Sequence, residues 1–154
     1  MIESLRGELV ERTPTHVVVE CGGVGYLVHI TPDLYARLPG QGACRLHVHY
    51  AVSVDVRSGG SEHKLYGFLE VEERRLFRQL INVQGVSATI GMAILGARPA
   101  GDLRAAIMLG DEGVLKAVKG IGPKLAQRIV QELRTKLVDD PIEKRLPMGA
   151  GGNT

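Results

Sequence analysis

Gly85-Val86-Ser87-Ala88-Thr89-Ile90-Gly91-Met92-Ala93-Ile94-Leu95 returns thirty-five positions later, in size and polarity, as Gly120-Ile121-Gly122-Pro123-Lys124-Leu125-Ala126-Gln127-Arg128-Ile129-Val130. Each copy opens on a glycine, continues with a branched apolar residue and then a tiny one, and runs on with apolar residues at the same three places. A glycine in first place permits a positive φ, the branched residue plugs the turn into a core, and the small residue lets the backbone come close to a ligand. The remainder of each copy reads as a helix, and the first N–H groups of a helix have no partner within it. With the helix dipole they form an anion site. Pro123 suits such a start, because the first helical position loses no hydrogen bond to a missing N–H, and Lys124 adds a positive charge beside it. Repetition within one chain is stronger evidence than either copy alone.

Both copies sit in a helical segment. Glu70, Glu72 and Glu73 stand where a helix N-terminus favours acids, and Leu76, Phe77, Leu80 and Ile81 come next as an apolar stripe. The pattern predicts helices over 70–81, 87–95, 100–109, 112–118 and 123–137. Upstream the period falls to two. Val24, Tyr26, Val28 and Ile30 alternate with other residues, as do Leu46, Val48 and Tyr50, and strands are expected over 2–10, 16–20, 24–30, 45–54 and 64–68. Thr13-Pro14 and Cys21-Gly22-Gly23 mark turns, and residues 33–38 fit one helical turn before Pro39-Gly40. Five strands in so short a stretch point to a small barrel of the OB type, with a small open sheet as the alternative.

Of the 154 residues, 44% are hydrophobic, enough for real cores. Aromatic residues make up 4% and tryptophan is absent, which argues against a surface that works by stacking bases on rings. No apolar run reaches the roughly eighteen residues of a membrane span, and no basic-then-apolar leader comes after Met1, so the expected compartment is the cytoplasm and no membrane partner is expected. Cys21 and Cys44 lie in strand-like stretches without metal-knuckle or redox spacing and read as reduced packing residues. Charge is divided unevenly. Residues 1–69 carry six Lys/Arg against seven Asp/Glu, whereas 70–154 carry thirteen against ten. Within 113–136, Lys116, Lys119, Lys124, Arg128, Arg134 and Lys136 face only Glu132, a patch that suits a polyanion unless it is no more than a solvated helix face.

Other chemistry finds little support. A dinucleotide fingerprint requires Gly-x-Gly-x-x-Gly after a strand, and here a helix precedes each loop; a Walker loop is missing. His47 and His49 share a strand face but have no third ligand nearby, so no metal is expected. Asp139 and Asp140 fall in a proline- and glycine-rich stretch that offers no rigid frame for catalysis. No nucleophile with its base, and hence no catalytic residue or cofactor, is expected. What remains is backbone-to-phosphate binding, which carries no base identity and weakens with salt. Two tight turns that merely pack, an enzyme using the turns as a DNA grip, and an RNA-binding barrel are the alternatives.

The loops 83–87 and 118–124, with Cys21-Gly22-Gly23-Val24-Gly25-Tyr26, Leu65-Tyr66-Gly67-Phe68 and Glu73-Arg74-Arg75-Leu76-Phe77, resemble the RuvA family, bacterial proteins that recognise four-way Holliday junctions in recombination, repair and the SOS response. The resemblance runs from Met1 to about Leu137. It implies an α+β multi-domain chain: an N-terminal OB-like β-barrel over 1–66 that builds a homotetramer, then an all-α domain over 67–138 with tandem helix-hairpin-helix motifs. One tetramer or two could hold the junction. Expected DNA contacts are Gly85, Ser87, Ala88, Gly120, Gly122 and Lys124, with Lys119 and Arg128 in support. The family's acidic pin falls on loop 52–63, where Asp55 and Glu62 are assigned to it. The first corner departs from the family in having Ser87 in place of glycine and Thr89 in place of lysine. The implied partners are four-way DNA, the ring ATPase RuvB and the resolvase RuvC. Family members contact the motor through a third helical domain after a flexible linker; residues 139–154 read as linker or tail without that domain, so the RuvB contact is not expected of these residues alone.

Overall fold

The computed structural model describes residues 1–138. The expected linker, with Asp139 and Asp140, lies outside them. The chain divides into two compact units, Met1–Arg75 and a second that begins at Leu76.

In the first unit, alternation does what the sequence predicts. Strands β1 (Ser4–Arg12), β2 (His16–Cys21), β3 (Val24–His29), β4 (Gly42–Val54) and β5 (Ser61–Phe68) turn Leu5, Leu9, Val17, Val19, Val28, Leu46 and Val48 into one core. Successive residues of a strand point to opposite faces, so one row of apolar positions per strand suffices. The order β1-β2-β3-β5-β4 closes on itself, because β1 also pairs with β4 from Ser4↔His47 to Leu9↔Gly42. The sheet is therefore the closed barrel, not the open alternative. All pairs are antiparallel except β3 with β5. The β2–β3 connection needs Gly22 and Gly23, whose φ values of 58° and 86° give the primed turn that matches strand twist. Gly67 sits where a Cβ would lie 2.5 Å from Val28 Cγ1, so the interior has no room for a side chain there. Helix α1 (Pro32–Arg37) bridges β3 and β4; Thr31 Oγ1 accepts the Leu34 N–H at 3.1 Å and Pro32 starts it, a well-formed N-terminus.

The β4–β5 ladder runs out to Val54↔Ser61, so β4 ends at the expected residue 54 and β5 begins before the expected residue 64. The expected loop 52–63 is corrected to 55–60: Ser61, Glu62 and His63 are polar and exposed and conceal the outer pairing from a hydrophobic pattern, but their backbones pair with Val54, Ser53 and Val52.

The second unit is helical. Helix α2 (Val71–Ile81) enters it; α3 (Ala88–Ala97), α4 (Ala100–Met108), α5 (Glu112–Lys116) and α6 (Pro123–Val138) come after. Leu80, Ile94, Leu103, Ile107, Ile129 and Leu133 are wholly buried in its core. Each such side chain contributes roughly 1.5–3 kcal/mol of burial. Gly91 brings α3 against α2 so closely that a Cβ would meet Phe77 and Ile81 at 3.1 Å.

Candidate nucleic-acid interface

The repeat in sequence is a repeat in geometry. Gly85 and Gly120 have φ of 95° and 96°, values that an L side chain rarely adopts. The hydrogen bonds match pair by pair across the offset. Val83 N–H donates to Leu80 O and Val118 N–H to Leu115 O, both at 3.0 Å; Val86 N–H donates to Val83 O at 3.0 Å and Ile121 N–H to Val118 O at 3.1 Å. Inside the helices beyond each corner, Gly91 N–H donates to Ser87 O at 2.9 Å and Ala126 N–H to Gly122 O at 3.0 Å. Val86 and Ile121 are buried at 6% and 7% exposure, so both corners are plugged as their composition predicts.

The two hairpins also pack reciprocally. A Cβ on Gly85 would sit 3.2 Å from Leu125 Cδ1, and one on Gly120 would sit 4.0 Å from Ile90 Cγ1. Ile90 and Leu125 are themselves equivalent positions of the repeat. Each corner thus rests on the other's helix, an approximate two-fold exchange. In the sequence Ile90 and Leu125 read only as members of a helical stripe, although the offset that aligns them is visible there.

The corners differ at their helix starts. Ser87 is the N-cap of α3, and its Oγ accepts the Ile90 N–H at 3.2 Å. The expectation of freely exposed amides is corrected here, since one is held by the chain's own hydroxyl. At the second corner Gly122 has no side chain, a Cβ there would meet nothing within 4 Å, and among the described residues no side chain accepts from the Lys124 or Leu125 N–H. Lys119, Gly120, Gly122 and Lys124 are all exposed, as are Gly85 and Ser87; Ala88 is half-buried.

Arg128 is placed differently from the other candidates. Its Nη1 donates to Gln84 O at 3.0 Å, forty-four residues away, and lies 3.6 Å from the position of a Gly85 Cβ. The second hairpin's helix therefore clasps the backbone of the first corner. Sequence reasoning missed Gln84, because a carbonyl has no compositional signal.

The two assigned pin acids lie at the solvent end of the β4–β5 hairpin. Asp55 Oδ1 accepts the Arg57 N–H at 2.9 Å, and this bond holds the carboxyl below its ordinary range. Glu62, opposite Ser53 on β5, pairs with Lys64 Nζ at 3.1 Å. Among the described residues no group of three or more His, Cys, Asp or Glu could hold a metal ion, and no helix is long and apolar enough to cross a membrane.

A closed five-stranded barrel followed by paired glycine-corner hairpins defines a class, the OB-barrel proteins that carry a tandem helix-hairpin-helix unit. Comparison with known proteins narrows it. Residues 1–67 match the RuvA N terminal domain and residues 77–135 the SAM-like Helix-hairpin-helix tandem. A relative from Chromobacterium violaceum is 46% identical over 138 residues, covering 89% of the chain and 67% of the relative. One from Christiangramia forsetii is 37% identical over 90% of the chain and 68% of its own length. One from Bacteroides fragilis is 35% identical over 99% of the chain and 73% of its own length. All three are named Holliday junction branch migration complex subunit RuvA. The chain belongs to the RuvA family.

Proposed function

We propose that the chain is the non-catalytic DNA-binding subunit of a branch migration complex, holding four-way junction DNA by its sugar-phosphate backbone. The relatives' shared name and the DNA-binding character of the matched helix-hairpin-helix tandem support this reading. The single observation that carries it is the pair of matching corners, each with a positive-φ glycine, a buried plug and an exposed residue at the start of the next helix. Backbone amides read phosphates and not base edges, so shape governs the choice of DNA. Gly120, Gly122 and Lys124, with Lys119 beside them, form the stronger grip; Gly85, Ser87 and Ala88 form the weaker. The barrel assembles four copies around the junction, and its outward Val10 and Leu27, 55% and 47% exposed, support such an assembly. Asp55 and Glu62, at the hairpin end, serve as the pin. An ATP-driven ring of the RuvB kind supplies the motion, and a RuvC-type resolvase cuts the junction.

One competition gel tests the reading, with four-way DNA labelled and linear duplex or single-stranded RNA of equal length as competitor. Four-way DNA is expected to stay bound against both at equal excess. Displacement by RNA, or by duplex as readily as by unlabelled junction, would overturn it.

A further inference from the structure

At one mouth of the barrel, β1 contributes a glycine where its neighbours contribute thiols. Gly7 pairs with Cys44 of β4, so the two residues project to the same face. On the other side Cys21, the last residue of β2, places its Sγ 2.9 Å from where a Gly7 Cβ would lie. Both cysteines are half-buried, packed against the barrel core, and both are free thiols. Cross-strand Cβ positions lie about 4.5–5.5 Å apart, which places the Cys44 Cβ that far from the point beside Cys21 Sγ, and the two thiols are near enough to act on each other electrostatically. Gly7 keeps that point open. A Cβ there would also fall 2.1 Å from Glu20 O, which leaves only glycine at this position.

A direct disulfide does not fit. With β1 between them, β2 and β4 stand about two strand spacings apart, roughly 9–10 Å, whereas bridged cysteines need Cα atoms within about 7 Å. A single atom between the sulfurs relieves that gap, since two metal–thiolate bonds of ~2.3 Å span a longer path than one S–S bond. Two ligands, with no third donor grouped beside them among the described residues, select a cation content with linear, two-coordinate sulfur ligation. Soft thiolates choose thiophilic ions over hard ones.

We infer that Cys21 and Cys44, converging over Gly7, form a two-thiolate site for a soft, linearly coordinated cation of the Cu(I), Ag(I) or Hg(II) type. Binding is an exchange without redox change: two S–H bonds release two protons and two S–metal bonds form. With a divalent ion the product is neutral, which suits a half-buried place near Glu8. Burial, with Cys21 and Glu8 nearby, pushes the Cys44 thiol up, so a metal must displace its proton to bind. The bound ion fastens the end of β2 to the start of β4 across β1.

The probe is Hg(II) added to the whole chain, followed by thiol titration, sizing and thermal melting. One equivalent is expected to mask both cysteines, leave the oligomeric state unchanged and raise the melting temperature. Cys44→Ala should bind roughly a hundredfold more weakly, because it lacks the second tethered ligand, and should show no rise in melting temperature. If Cys44→Ala fails to fold, the stoichiometry and melting shift of the unaltered chain decide alone. Two ions per chain, one ion shared between two chains, or an unchanged or lowered melting temperature in the unaltered chain would each overturn the site.

Discussion

At position 87 and its repeat partner 122, stability and binding pull in opposite directions. A side chain that caps a helix N-terminus satisfies an amide that a phosphate would otherwise take. Ser87 makes that choice for the fold. Replacing it by glycine should cost only a few tenths of a kcal/mol of stability, and releasing one amide to a charged acceptor should tighten junction binding about tenfold. A filter-binding titration checks this; weaker binding by Ser87→Gly would mean that the hydroxyl itself touches DNA. Arg128 poses a related question. In the proposed reading its clasp on Gln84 acts on the DNA through the first corner, so Arg128→Met should lower affinity several-fold while changing the salt slope by less than the ~0.9 that one phosphate interaction supplies. A full unit removed from the slope would restore Arg128 to the groups that touch phosphate. The sequence displays Ser87 and Arg128 as residue types, but their roles depend on partners, one of them a carbonyl far along the chain, and no local pattern encodes those.

Elements are more legible than their ends. The helices over 70–81 and 123–137 and the alternating strands come from periodicity, since a row of Leu5 and Leu9 or of Val17 and Val19 has nowhere to go but a core. The start of β5 is hidden because Ser61, Glu62 and His63 are exposed and carry no burial signal. The barrel also carries a titratable row of which the sequence singles out only His49. His16 pairs with His29, His29 with Tyr66 and Tyr66 with His49. Burial, then Lys64 and His16, hold the His29 imidazole below its ordinary 6.5, with Glu62 opposing. Burial, then Arg74 and Arg45, do the same to His47. A depressed imidazole stays neutral in the fold while the unfolded chain takes up its proton, so stability is complete above pH 6.5 and falls as the pH drops toward the folded-state value. The barrel should therefore melt lower at about pH 5.5 than at about pH 7.5. His29→Gln should flatten that difference, and an equally steep profile in the variant would remove His29 from the account.

For the molecule as a whole, the duplicated corner is the most legible feature, because a backbone geometry that demands glycine leaves a mark in the sequence wherever it recurs. The reciprocal seating of Gly85 on Leu125 and Gly120 on Ile90 is not legible, since it depends on how the copies pack. In the proposed reading, two corners in one unit make DNA binding divalent within each chain, and the second corner is the one with open amides. Gly122→Asp should test its share. The substitution is sterically free, with nothing within 4 Å of the new Cβ, and its carboxylate would cap α6 as Ser87 caps α3, with a gain of about 0.5 kcal/mol in stability. The same carboxylate would occupy the amides offered to phosphate and repel the strand. Junction affinity should fall at least about tenfold, and the slope of log K against log salt should shrink by ~0.9 for each phosphate no longer held. The weakening should be the same for arms of any base sequence, because amides do not read bases. A more stable protein that binds less, with a shallower salt dependence, is the signature of an amide corner holding a phosphodiester. An unchanged slope would mean that the second corner faces away from the DNA, and the grip would have to be sought elsewhere on the chain.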